Sequence, residues 1–144
     1  MILPTFHGYP AAMRRIHTVL LVEDDEELHE AMTAILDAEG YRVIGARDGQ
    51  EAIDRLREGV RPSLILLDLM LPRKDGRQFR AEQLADPRLA SIPVIAYSGD
   101  AAVADTARAL QVRHWFRKPV EFSAFLETVA RYCPDEENGE PSTY

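Results

Sequence analysis

Three short stretches of this chain are apolar without polar alternation: Thr18-Val-Leu-Leu-Val22, Leu64-Ile-Leu-Leu67 and Pro93-Val-Ile-Ala-Tyr97. A strand facing water on one side alternates, so these runs read as strands buried on both faces. Each is followed by residues at helical spacing. Leu28, Met32, Ile35 and Leu36 follow the first run, before Gly40. A turn-rich segment from Pro72 to Gly76 and a short helix, Phe79 to Ala85, follow the second. An alanine-rich helix reaching Leu110 follows the third. Two weaker units complete the pattern. Tyr41 to Gly45 is a strand before a helix carrying Ala52, Ile53 and Leu56 and stopped by Gly59, and His114 to Phe116 is a brief strand. Phe122, Phe125, Leu126 and Val129 then form the stripe of a last helix at i, i+3, i+4 and i+7. Successive βα units require right-handed crossovers, hence an α/β protein with a doubly wound parallel sheet of five strands and helices on both faces.

The remaining composition narrows the setting. At 144 residues the chain holds one domain with a real core. Its single cysteine, Cys133, excludes an intrachain disulfide and any CxxC site, which fits a reducing, cytoplasmic setting. Seventeen basic residues against twenty-four acidic ones give a net charge of −7, unsuited to gripping nucleic acid through its phosphates. No apolar run approaches the length of a membrane span. Residues 1–16 read as an N-terminal extension and 17–132 as the folded domain. Residues 133–144, with Asp135, Glu136, Glu137 and Glu140, read as an acidic disordered tail.

In a doubly wound sheet the functional site lies beyond the carboxyl ends of the strands. The first strand ends in Glu23-Asp24-Asp25, the third in Asp68 and the fourth in Ser98, and the fifth runs into Lys118-Pro119. Acids at the start of a helix are ordinary capping groups, and Asp25 fits that role. Asp68 does not, because a carboxylate ending four aliphatic residues is costly unless paired or bound. Carboxylates gathered at one sheet edge repel one another, and a hard divalent ion such as Mg²⁺ suits such an oxygen cluster.

These segments resemble the receiver domain of bacterial two-component response regulators. The resemblance rests on Val19-Leu-Leu-Val-Glu-Asp-Asp25, Asp68-Leu-Met-Leu-Pro-Arg-Lys-Asp-Gly76, Pro93-Val-Ile-Ala-Tyr-Ser-Gly99 and Lys118-Pro119, and spans about residues 17–132. It implies a flavodoxin-like fold with strand order 2-1-3-4-5. It further implies that Asp68 is the phosphorylated nucleophile, and that Glu23, Asp24, Asp68 and the backbone carbonyl of Met70 hold Mg²⁺. Ser98 and Lys118 would bind the phosphoryl group, Ser98 and Trp115 would form the switch, and Pro119 would follow a cis bond. The sequence departs from the family pattern in places. Trp115 stands where Tyr or Phe is usual, Gln111-Val-Arg-His114 replaces an acidic stretch, and Val120 replaces a phenylalanine. The features used by many transcription-factor receivers to dimerise are therefore missing.

The expected function is that of a stand-alone receiver in a phosphorelay. A histidine kinase or phosphotransfer protein would donate the phosphoryl group and a downstream protein partner would read the result, with no self-standing enzyme activity. Only residues 120–144 follow Pro119, too few for an output domain. One alternative is a Mg²⁺ phosphatase of haloacid-dehalogenase type, but Met70 occupies the position where those enzymes need a second acid. A receiver that binds partners without phosphorylation is the other, and the complete acid, serine and lysine set speaks against it. His7, His17, His29 and His114 show no metal-ligand spacing, and no glycine-rich loop supports nucleotide binding.

Overall fold

In a computed structural model of the protein, the described residues are 16–134 together with the backbone of 5–6 and 9–10. Five strands form one parallel sheet: β1 (Thr18–Val22), β2 (Arg42–Ala46), β3 (Leu64–Asp68), β4 (Val94–Ser98) and β5 (His114–Arg117). Their order across the sheet is β2-β1-β3-β4-β5, the flavodoxin-like 2-1-3-4-5. The helices are α1 (Glu26–Ala38), α2 (Gly49–Arg57), α3 (Gly76–Ala85), α4 (Val103–Ala109) and α5 (Phe122–Tyr132).

Period-2 alternation sorts the strand residues into two cores. Leu20, Val22, Ile65, Leu67, Val94 and Ala96 pack with α2, α3 and α4 through Ile53, Phe79 and Ala107. Val19, Leu21, Leu64, Leu66, Ile95 and Tyr97 pack on the opposite face with α1 and α5 through Met32, Leu36, Phe125 and Val129. The three central strands are buried on both faces, which is why their sequences show no polar alternation.

Helix starts are written locally. Asp25, Asp48 and Asp75 accept hydrogen bonds from Leu28 N, Glu51 N and Gln78 N at the N-termini of α1, α2 and α3. Gln78 also returns a bond to the Asp75 N–H, so α3 begins at Gly76, three residues before the apolar spacing marks it. Gly40, just past α1, has a φ of 93° that a residue with a Cβ seldom adopts. Strand β2 lies one residue later than the sequence suggests, because it is a half-buried edge strand with a weak pattern. The packed part of the chain also reaches past the boundary drawn at residue 132. Cys133 is buried, and the Pro134 carbonyl lies 2.7 Å from His17 Nε2, whose Nδ1 lies 2.8 Å from Ser63 Oγ. In the 1–16 segment, Thr5–Phe6 pairs antiparallel with Tyr9–Pro10; residues 135–144 lie outside the described part. No helix among the described residues is long and apolar enough to cross a membrane.

Candidate phosphoryl-acceptor site

The ladder hydrogen bonds run one step beyond the strands and set the register of the site. Glu23 N–H donates to Ala46 O at 3.0 Å, Leu69 N–H to Tyr97 O at 3.0 Å and Lys118 N–H to Ser98 O at 2.9 Å. Glu23, Asp68 and Lys118 all project on the α1/α5 face, continuing Leu21, Leu66 and Phe116 by period 2. Glu23, Asp24 and Asp68 each present a carboxylate oxygen within 4.8 Å of the others. Glu23 and Asp68 are buried, and Asp24 is exposed. Lys118 Nζ donates to Asp68 Oδ2 at 2.9 Å and stands 3.6 Å from Glu23 Oε1. Asp68 Oδ1 accepts the Met70 N–H at 2.9 Å. The Lys118–Pro119 peptide bond is cis.

Charge is unevenly compensated here. Burial raises the Glu23 carboxyl above the usual carboxylate range, and the Asp68 charge adds to this. The Asp25 N–H, at 2.9 Å from Oε2, and Lys118 oppose it. Burial also weakens the Lys118 ammonium, but its bond to Asp68 and the charges of Asp68 and Glu23 outweigh that and raise it. Glu23 Oε1 has no hydrogen-bond partner. Two buried carboxylates, a third at the rim and one buried oxygen without a donor fit a hard divalent cation.

Ser98 and Trp115 lie together on the other face of the sheet. Ser98 is buried, and its Oγ accepts the Asp100 N–H at 3.1 Å. Trp115, paired in register with Ala96, is half-buried against the α2/α3/α4 core, with the Arg108 guanidinium 5.1 Å from its ring centroid. A cleft of about 500 Å³ opens from the carboxylates between α3 and α4, lined by Asp24, Met70, Pro72, Arg77, Ser98 and Asp100. Met70 is 62% exposed at its mouth.

The structure adds a clamp on the loop that follows Asp68. Arg73, at φ 60°, donates from Nε to Asp48 Oδ2 at 2.7 Å, and the Gly49 N–H donates to Lys74 O at 2.9 Å. Lys74 is also paired with Glu82 of α3. Neither member of the Arg73–Asp48 pair is evident from sequence, although Asp48 before a glycine is a helix-start signal.

The carboxyl edge of the doubly wound sheet thus holds a buried, lysine-paired aspartate beside two further acids. The response regulator receiver domain family matches residues 19–130, and the chain belongs to it. It is 36% identical over 120 residues to the polar-differentiation response regulator DivK of Brucella anthropi, covering 82% of this chain and 97% of that one. Among solved structures it resembles the phosphorylated cyanobacterial phytochrome response regulator RcpA, with a TM-score of 0.72 and 31% identity over 83% of this chain and 94% of that one. It also resembles the receiver domain of the sensor histidine kinase PA1611 from Pseudomonas aeruginosa, which has magnesium coordinated in its active-site cleft. There the TM-score is 0.73 and the identity 30%, over 83% and 98% of the two chains.

Proposed function

We propose that Asp68 accepts a phosphoryl group from a histidine kinase or histidine phosphotransfer protein and that the modified protein then presents a changed surface to a downstream protein partner. The observation that carries this is the 2.9 Å contact of Lys118 Nζ with a buried Asp68 carboxylate in a cluster of three acids. Asp68 attacks phosphorus in line as the phosphorus–nitrogen bond to the donor imidazole breaks, and the donor leaves with the electron pair. Lys118 moves its contact from Asp68 toward the phosphoryl oxygens, where a compact ammonium neutralises growing charge. Ser98 exchanges its bond from Asp100 N–H for one donated to a phosphoryl oxygen, and Trp115 on the same face is the side chain placed to respond. Glu23, Asp24, Asp68 and the Met70 carbonyl would hold Mg²⁺. A bound Mg²⁺ would neutralise carboxylate charge and polarise the phosphoryl group. These steps belong in the cytoplasm, where phosphohistidine donors act.

Intact-mass measurement after exposure to acetyl phosphate tests this reading. One added phosphoryl group is expected on the parent with Mg²⁺, and none without Mg²⁺ or on Asp68→Asn. Equal labelling of that variant overturns the reading.

A further inference from the structure

Tyr97 is the largest fully buried side chain among the described residues, and its hydroxyl has no hydrogen-bond partner. A phenol hydroxyl is ordinarily paired when buried, because the unmade bond leaves its desolvation uncompensated. The position is specific. Tyr97 lies opposite Asp68 in the β3–β4 register and projects on the α1/α5 face, the face that carries Glu23, Asp68 and Lys118. Its ring centroid is 5.5 Å from Lys118 Nζ.

The second unpaired buried atom of the site is Glu23 Oε1. Tyr97 and Glu23 project on the same face of the sheet and flank one ammonium, Lys118 Nζ, which lies 3.6 Å from Glu23 Oε1 and 5.5 Å from the Tyr97 ring centroid. The other Glu23 oxygen is already fixed by the Asp25 N–H at 2.9 Å. Lys118 is the cation beside Oε1, at 3.6 Å, and the Tyr97 phenol lies on the same face. In the proposed reaction Lys118 turns toward the phosphoryl group, which leaves the phenol as the remaining donor for this oxygen.

The geometry points to Tyr97 as a positioning residue: its hydroxyl donates to Glu23 Oε1 and holds that carboxylate toward the cation site when Lys118 is engaged elsewhere. The inference rests on the proposed phosphoryl-acceptor function. Groups that orient metal-site ligands from behind are worth about tenfold or more in metal affinity. Tyr97→Phe isolates the hydroxyl, since it keeps the ring, its packing and its place beside Lys118.

The test is calorimetric titration of MgCl₂ into parent and Tyr97→Phe with beryllofluoride present, a phosphoryl mimic that engages Lys118, with acetyl phosphate labelling rates followed against Mg²⁺ concentration and thermal melts in EDTA. The expected result is an approximately tenfold weaker Mg²⁺ affinity and a matching rise in the half-saturating Mg²⁺ concentration. The rate at saturating Mg²⁺ should be unchanged and the melt in EDTA at or above the parent's. A Tyr97→Phe protein that binds Mg²⁺ like the parent overturns the inference alone, whatever its melting temperature. A parent that binds no Mg²⁺ overturns the proposed function and this inference with it.

Discussion

Gly49 is the residue at which α2 meets the loop following Asp68, and Gly49→Ala measures how tightly that loop is held. A Cβ at Gly49 would lie 2.3 Å from Lys74 O and 3.0 Å from Lys74 C and Cβ. The near atom is backbone, so no side-chain rotation relieves the contact. The loop must retreat by roughly 1 Å to restore ordinary van der Waals separation, which also breaks the 2.9 Å bond from Gly49 N–H to Lys74 O. Overpacking of this kind costs about 1–3 kcal/mol and the lost hydrogen bond about 0.5–1.5 kcal/mol. Replacing glycine by alanine in a helix returns about 0.5–1 kcal/mol, so the net expectation is a loss of about 2 kcal/mol. Urea unfolding reads this directly, and at about 2–4 °C per kcal/mol the melting temperature should fall by roughly 4–8 °C. Two other glycines calibrate the result. Gly99 has nothing within 4 Å of its would-be Cβ, and Gly99→Ala should stay within about 0.5 kcal/mol of the parent. Gly59 is equally open but has a φ of 111°, so Gly59→Ala should cost about 1–2 kcal/mol from backbone strain alone. A Gly49→Ala protein as stable as Gly99→Ala would refute the account of the loop.

Three further outcomes follow from the same structure. Removing Arg73 should free the loop that carries the Met70 carbonyl, so Arg73→Ala should bind Mg²⁺ several-fold more weakly in a calorimetric titration while Asp48 still caps α2. His29 is held below its ordinary value of 6.5 by burial first and the Arg47 charge second, so the folded state favours the neutral ring. Its contribution is full above pH 6.5 and is lost as the pH falls, so the parent should lose more stability than His29→Leu between pH 7 and pH 5 in urea titrations. Trp115 is the only tryptophan, so its emission should shift or be quenched when Mg²⁺ and beryllofluoride are added to the parent, and not in Asp68→Asn.

What was legible in the sequence follows from where burial is complete. β1, β3 and β4 are covered on both faces, and their unbroken apolar runs of four or five residues are too short for helices and read as strands. The acids of the site were legible for the complementary reason: Asp68 breaks a fully buried run, and a carboxylate there needs a partner. The sequence places β2 one residue early because edge exposure blurs its period, and it leaves Cys133 in the tail because the burial of Cys133 depends on packing with α1 and α5 rather than on local pattern. Contacts between residues far apart in the chain, the pair that holds the site loop among them, are not legible at all. Asp48 and Arg73 are twenty-five residues apart, His17 and Pro134 are 117 apart, and nothing local marks either pair. In the sequence Tyr97 looks like one more apolar residue of a strand, although period 2 from Ile95 places it on the face shared with Asp68.

The central claim is that one carboxylate, Asp68, carries the phosphoryl group. The most direct measurement is to phosphorylate the parent with acetyl phosphate and Mg²⁺, reduce the acyl phosphate with borohydride, and map the modified peptide by mass spectrometry. Conversion of residue 68 to homoserine, with Glu23, Asp24 and Asp25 intact, is the predicted result. Modification at Asp24 or Asp25, or phosphate retained on a serine or histidine, would contradict it.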